Sequence, residues 1–151
     1  MTDRAVVGQS VFRKDANQKV TGQALHVDNI EMPGLLHVAV LRSPFPHAKI
    51  NSIDKSRAEA LDGVAAVMTG ADINAMPGVD PYYGPAFRDQ PILAIDRVRH
   101  VGEPVAAVAA MDRRRAEDAI ELIEVDYEPL PAVLDVLEAA KSSSPIIHEE
   151  L

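Results

Sequence analysis

The fold is decided by the stretch Arg99-His100-Val101-Gly102-Glu103-Pro104-Val105-Ala106-Ala107-Val108-Ala109. Its Gly102-Glu103-Pro104 segment predicts a turn, because glycine and proline interrupt regular pairing. The apolar run 104–110 that follows is typical of a strand buried on both faces. Asp112 is then a suitable N-cap for a helix over residues 113–123, whose apolar side chains recur on one face. This order of elements predicts an α/β (α+β) domain in which helices pack on a mixed sheet.

Other segments extend this pattern towards both ends of the chain. Residues 20–30 could hold one short strand within an otherwise irregular N-terminal arm. The tetrapeptide 56–59 fits a Ser-x-x-Glu capping box at the start of a short helix that Gly63 ends. Residues 76–91 hold four prolines and two glycines and predict a long loop. The remaining predictions are strands at 35–41 (buried), 49–53 (half-buried), 64–68, 92–95 and 124–127, a brief turn or helix at 69–72, and a helix at 133–140.

Composition excludes several classes of protein. The 151 residues carry a formal net charge of −8, whereas a duplex-binding domain shows a basic surplus, so no nucleic-acid partner is expected. The chain has no cysteine, which excludes disulfides, thiolate metal sites and iron–sulfur ligation within it. No apolar run approaches the roughly 18–20 residues that span a bilayer, so no membrane partner is expected. The N-terminus lacks a signal pattern, and the expected location is cytoplasmic.

No group of residues in the sequence reaches the level of an active site. Among five histidines, only His37 and His47 could meet, across neighbouring strands, and none has the spacing of a helical zinc site. Glu103 is either a loop carboxylate aimed at a ligand or partner, or a solvated turn residue. Arg42 either presents its guanidinium to an anion or a neighbouring carboxylate, or lies in solvent at a strand end. We therefore predict no catalytic, cofactor-binding or metal-ligating residue.

Five segments, taken in order, resemble the N-terminal α/β-hammerhead domain of the xanthine dehydrogenase / aldehyde oxidase family of molybdenum hydroxylases. They are Lys19-Val20-Thr21-Gly22 with Ala24, Leu41-Arg42-Ser43-Pro44 with His47-Ala48, Val101-Gly102-Glu103-Pro104-Val105-Ala106, Ile123 to Pro131 with its Val-Asp-Tyr-Glu-Pro-Leu-Pro core, and Ile147-His148. Each motif alone is weak, but five in the right order make a strong match. The resemblance covers the chain from about Gly8 to Leu151.

The resemblance implies one α/β-hammerhead domain over residues 1–151. Residues 1–19 would be a partly irregular arm, and residues 141–151 a tail leading towards a molybdopterin-binding domain that this chain lacks. The abrupt end after a serine-rich stretch favours truncation at a domain boundary. The full enzyme would hold a molybdenum–molybdopterin cytosine dinucleotide, with [2Fe–2S] clusters and FAD in partner domains or subunits, and no cofactor would lie in this chain.

The resemblance further implies a structural part of an oxidoreductase of the xanthine dehydrogenase, aldehyde oxidase, carbon monoxide dehydrogenase or hydroxybenzoyl-CoA reductase type, inactive alone. Its partners would be the molybdopterin-binding domain of the same large subunit and the iron–sulfur and FAD subunits or domains. Candidate interdomain docking residues are Arg42, Ser43, Pro44, Gly102, Glu103 and Pro104. The alternative is a free-standing module that docks onto a partner subunit without catalysis. A third hypothesis is a small independent enzyme that uses Arg42, His47 and Glu103.

Overall fold

The computed structural model describes residues 7–149, with only the backbone of Asp28, and the chain falls into two units, residues 1–35 and 36–151. The first unit holds helix α1, Ala16–Val20, and a 3₁₀ helix, Val27–Asn29. The short strand expected within 20–30 is wrong, because Gly22 (φ 72°) turns the chain and the next two backbone N–H groups bond to the carbonyl of Gln18. Residues 1–6 of the predicted arm and 150–151 of the predicted tail lie outside the described residues.

The second unit contains the sheets and the remaining helices. Its strands are β1 (His37–Arg42), β2 (Ala48–Asp54), β3 (Val64–Thr69), β4 (Tyr82–Tyr83), β5 (Gln90–Pro91), β6 (Arg97–Val98), β7 (Pro104–Ala110) and β8 (Glu124–Pro129). Its helices are α2 (Ser56–Glu59), α3 (Gly70–Asn74), α4 (Arg113–Ile120) and α5 (Val136–Ala139). No helix described between residues 7 and 149 is long and apolar enough to cross a membrane.

The described strands form three small sheets, ordered β1-β7-β3, β6-β2-β8 and β4-β5. The α/β class is confirmed, but the sheet is not mixed, since every pairing among these strands is antiparallel. The mixed sheet was predicted because strands joined through a helix often pair in parallel, but this requires both strands to belong to the same sheet. Here α2 joins β2 to β3 and α4 joins β7 to β8, so each helix carries the chain from one sheet to another.

Strand β7 contributes side chains to both hydrophobic cores of the second unit. Ala106 and Val108, on one of its faces, pack with residues of α2, β3 and α4. Val105, on the other face, packs with residues of β2 and β6. Val105 and Val108 are fully buried, and burying a valine stabilises the fold by about 1.5–3 kcal/mol relative to leaving it exposed. The predicted strand over 104–110 is therefore confirmed, and its first half is buried on both faces.

Local capping follows the sequence at one helix and departs from it at another. Asp112 caps α4 as predicted, its carboxylate accepting the N–H of Arg115 at 2.9 Å. The capping box predicted at 56–59 is wrong, because the carboxylate of Asp54 takes the N–H of Ser56 instead. The box forms at α3, where the side chain of Thr69 and the N3 carboxylate each accept a backbone N–H.

Several other predicted elements change in extent. The strand predicted at 35–41 lies at 37–42, and it is a sheet edge with Val38 65% exposed rather than a buried strand. Residues 92–95 do not form a strand. The N–H of Ala94 donates to the carbonyl of Pro104, the first residue of β7, and strand pairing with β2 begins only at β6. The long loop 76–91 includes the short β4–β5 pair. The helix predicted at 113–123 is the shorter α4, Arg113–Ile120, and the helix predicted at 133–140 is the shorter α5, Val136–Ala139.

Candidate docking site

Two of the sequence motifs, 60 residues apart, meet at the end of the β1–β7 ladder. The backbone N–H of Ser43 donates to the carbonyl of Glu103 at 2.9 Å, and the N–H of Gly102 donates to the carbonyl of Ser43 at 2.8 Å. The guanidinium of Arg42 donates to the carbonyl of Gly102 at 2.8 Å. We call residues 42–44 and 102–104 the motif junction. Its geometry shows that the two segments, predicted separately, form one structure.

The motif junction has a buried part and an exposed part. Ser43 and Glu103 are only 3% and 4% exposed, whereas Arg42 and Pro44 are exposed. The Ser43 hydroxyl accepts the N–H of Phe45 at 3.0 Å, and the Glu103 carboxylate accepts the N–H of Arg99. Glu103 is therefore not a solvated turn residue. Any contact that the junction makes with another domain must come mainly from the side chains of Arg42 and Pro44.

The turn that carries Glu103 depends on one glycine. Gly102 has φ 86°, a backbone conformation that residues with a side chain rarely adopt. Apart from its two chain neighbours, no described residue has an atom within 4 Å of the position that a Cβ would occupy there. Backbone conformation alone, rather than lack of space, therefore favours glycine at this position. The turn is closed by the N–H of Glu103, which donates to the carbonyl of His100 at 3.3 Å.

His47, the residue before β2, bonds to the segment that follows β8. Its ring is 5% exposed, and Nδ1 lies 2.8 Å from the carbonyl oxygen of Pro131, so Nδ1 carries the hydrogen in this bond. The backbone N–H of Leu130 donates to the carbonyl of His47 at 2.9 Å. His47 thus holds the segment that follows β8 against the start of β2. The bond through Nδ1 gives His47 a structural role, while its buried Nε2 has no hydrogen-bond partner among the described residues.

An aromatic pair closes the space between the same elements. The rings of Phe45 and Tyr127 lie 5.2 Å apart at an interplanar angle of 54°. Burial raises the pKa of the Tyr127 phenol, and a hydrogen bond with Ser43 opposes that rise. The aromatic contact was not predicted, because two aromatic residues 82 positions apart give no local signal. The segments around residues 43, 103 and 127 therefore support one another.

The structure does not assemble the other groups considered from the sequence. His37 and His47 do not meet, because β1 and β2 belong to different sheets. Among residues 7–149, no group of three histidine, cysteine, aspartate or glutamate side chains is placed to hold a metal ion. Arg42 bonds to Gly102, while His47 bonds to Pro131, so the residues named for a small independent enzyme do not converge on one reacting centre.

The C-terminal tail passes beside the turn of the motif junction. A cleft of about 230 Å³ is lined by Glu103, Arg99, His100 and His148, together with residues of the β4–β5 pair. The exposed Glu149 lies 3.5 Å from the guanidinium of Arg97, which is half-buried. No local pattern indicates this contact, since the two residues are 52 positions apart. The tail therefore runs close to the end of the sheet at which β7 begins.

Comparison with known proteins gives a consistent set of matches. A family model described as "Aldehyde oxidase and xanthine dehydrogenase, a/b hammerhead domain" matches residues 21–131. A probable xanthine dehydrogenase subunit of Bacillus subtilis (strain 168) is 41% identical over 141 residues, covering 93% of this chain and 18% of the relative. The carbon monoxide dehydrogenase large chain of Afipia carboxidovorans is 42% identical over 132 residues, covering 86% and 16%.

Solved structures give the same result in three dimensions. Reconstituted CO dehydrogenase from Oligotropha carboxidovorans aligns with a TM-score of 0.86 at 39% identity, over 95% of this chain and 18% of that one. Quinoline 2-oxidoreductase from Pseudomonas putida 86 aligns with a TM-score of 0.79 at 42% identity, over 91% and 18%. This chain therefore spans less than a fifth of the length of these four proteins.

Proposed function

This chain belongs to the a/b hammerhead domain family of aldehyde oxidase and xanthine dehydrogenase, and the resemblance seen in the sequence is confirmed. We propose that it is the structural N-terminal domain of a molybdenum hydroxylase large subunit. In this role it supports the molybdopterin-binding part and has no activity alone. The observation that carries the proposal is the share of length: the chain matches 16–18% of the large chains of such enzymes. The motif junction supports it further, since its buried side chains bond to their own backbone.

The described residues do not fit the cofactors of the proposed enzyme. The chain has no cysteine to hold a [2Fe–2S] cluster. Its glycines with positive φ stand singly in separate turns rather than in a glycine-rich loop that would cradle a dinucleotide. The proposed molybdenum–molybdopterin cytosine dinucleotide would therefore lie in the molybdopterin-binding domain of the same subunit. The [2Fe–2S] clusters and FAD would lie in partner domains or subunits, and the enzyme would be cytoplasmic.

The exposed part of the motif junction is the proposed contact with the molybdopterin-binding domain. Arg42 uses one of its five N–H donors on the Gly102 carbonyl, and no residue within 7–149 accepts from the others, which leaves them for a partner. A guanidinium already held in place loses less conformational entropy when it binds a carboxylate. Pro44 adds an exposed, rigid apolar surface beside it. These features support a protein partner rather than a small-molecule substrate.

The proposal is tested by producing the chain and the rest of the subunit as separate polypeptides. We expect the two pieces to co-purify, to bind molybdenum in near-stoichiometric amount and to oxidise a substrate of this enzyme class. The remainder alone is the control, and it should lose either solubility or bound molybdenum. Hydroxylation by the 151-residue chain alone would contradict the proposal. So would full molybdenum content and activity of the remainder without this chain.

The alternative is a free-standing module that docks onto a separate partner subunit. The exposed side of the motif junction favours it equally, because docking does not require covalent linkage. The mass of the polypeptide in source cells separates the two hypotheses. An antibody against residues 7–149 should detect a band several times larger than 16.3 kDa if the chain is part of a large subunit, and a band at 16.3 kDa if it is free-standing.

A further inference from the structure

The sheet β1-β7-β3 has one face that the described residues of its own unit cover only at one end. Helix α4 and the first hydrophobic core cover the inward face, on which Ala106 and Val108 lie. Residues of opposite parity point outward, and those on β1 before the bulge that follows Leu41 are apolar, as are those on β7 and β3. The outward face, as we call it, consists of Val38 and Val40 on β1, Ala107 and Ala109 on β7, and Ala66 and Met68 on β3, which the strand register sets side by side.

The second hydrophobic core covers only one end of this side of the sheet. Val105, at the start of β7, is fully buried in that core. Further along the strand, Ala107 and Ala109 are only half-buried. At the far end Val38 is 65% exposed and Met111 is 69% exposed. An antiparallel sheet with one face in water carries mostly polar residues on that face, whereas the six side chains of the outward face are all apolar. The outward face is therefore built to be covered.

We propose that the outward face is the docking surface for an apolar segment of the polypeptide that follows residue 151 in the complete large subunit. This inference rests on the proposed function and deepens it by naming the surface. Alanines line the middle of the face, with Val38 and Val40 on one side and Met68 on the other, so the face is a shallow trough. A helix that presents a ridge of larger apolar side chains fits a surface of this shape.

The size of the outward face favours a linked occupant over a second copy of this chain. Six side chains, three of them alanine, present far less than the roughly 800 Å² per partner that a stable interface between separate proteins buries. A segment of the same polypeptide needs no such area, because linkage raises its effective concentration to the millimolar range. A small apolar face is thus sufficient to hold a following segment and insufficient to hold a dimer.

The path of the tail brings the following segment to this sheet. Glu149 lies 3.5 Å from Arg97, and His148 lines the cleft beside Pro104, the residue that begins β7. From that end of the sheet, the seven residues of β7 extend about 24 Å. A helix of roughly 16 residues covers that distance. A segment of ordinary length therefore reaches along the whole outward face.

Cysteine labelling tests the proposal without disrupting the fold. The chain has no cysteine, so Val38→Cys introduces a single thiol on the outward face, and Arg114→Cys introduces one on the solvent side of α4. Each variant is made both in the 151-residue chain and in the complete polypeptide, and its reaction with N-ethylmaleimide is followed by peptide mass spectrometry. In the complete polypeptide we expect Val38→Cys to react at least about tenfold more slowly than in the 151-residue chain, because labelling then requires local opening. Arg114→Cys should react at similar rates in both.

Each other occupant gives a different result. Equal labelling of Val38→Cys in both polypeptides would overturn the proposal. A rate that falls as the concentration of the 151-residue chain rises would identify a second copy as the occupant. Slow labelling of the 151-residue chain at every concentration would show that the chain covers the face itself. If no longer polypeptide existed in source cells, the proposed function would fail, and the immunoblot with the antibody against residues 7–149 would show this independently of the labelling rates.

Discussion

Replacing Glu103 with alanine should destabilise the chain far more than its position in a turn suggests. The carboxylate is 4% exposed and accepts the N–H of Arg99. A hydrogen bond to a charged group contributes about 1.5–3 kcal/mol, and a buried donor that loses its acceptor adds a desolvation cost. We therefore expect Glu103→Ala to lower the free energy of unfolding by about 3 kcal/mol. Glu103→Gln keeps an oxygen acceptor of similar shape and should cost about 1 kcal/mol.

Urea unfolding followed by far-UV circular dichroism measures these differences, since the chain has no tryptophan to report by fluorescence. At about 3 °C per kcal/mol for a domain of this size, Tm should fall by roughly 10 °C for Glu103→Ala and roughly 3 °C for Glu103→Gln. Glu121→Ala, at the exposed end of α4, is the matched control and should stay within about 0.5 kcal/mol of the parent. The reasoning is refuted if Glu103→Ala is as stable as this control.

Four further substitutions have outcomes that follow from the structure. Gly70→Ala would force a Cβ into the backbone carbonyl of Ala94, so we expect a loss of more than about 3 kcal/mol or no soluble protein. Gly78→Ala, with φ 76° and open space, should cost about 1–2 kcal/mol in the same urea assay. Burial raises the pKa of Asp72, but hydrogen bonds with Lys55 and the Thr69 cap outweigh burial and leave that pKa lowered. The carboxylate therefore contributes stability above about pH 4 that is lost as the pH falls further, and Asp72→Asn should show a smaller loss than the parent between about pH 5 and pH 3. Arg42→Ala removes one exposed hydrogen bond and should change the Tm of the 151-residue chain by less than about 3 °C, while it lowers the yield of the two-piece complex; an unchanged yield would contradict docking through Arg42.

Patterns within a few residues allowed much of the fold to be predicted. The continuous apolar run of β7 predicted a central buried strand, and Asp112 predicted the start of α4 to the residue. Both signals act locally, through burial on two faces and through one carboxylate that accepts an N–H three residues on. The failure at Ser56 has the same local origin. Asp54 is two residues from Ser56, whereas Glu59 is three residues away, and it is the Asp54 carboxylate that accepts the N–H of Ser56. The Ser-x-x-Glu capping box therefore does not form.

The arrangement of the sheets could not be predicted in this way. Strand β1 has the composition of a buried strand, and its place at an edge depends on partners that the sequence does not name. The contact of Arg42 with Gly102 depends on the β1–β7 register, in which a bulge after Leu41 shifts the pairing by one residue. Two segments that were predicted as separate docking candidates thus became one junction only when that register was known.

The buried motif residues and the outward face have different roles in this chain. Glu103 and Ser43 are prominent in the sequence because they belong to recognisable motifs, yet both are buried and bond to their own backbone. The outward face lies in plain apolar runs that no motif marks, yet it is the surface that remains to be covered. Substitutions at the buried pair should therefore change stability equally in the chain and in the complete polypeptide. Polar substitutions on the outward face, such as Ala109→Ser, should alter stability mainly where the following segment is present, since only there would the new hydroxyl be buried against an apolar neighbour.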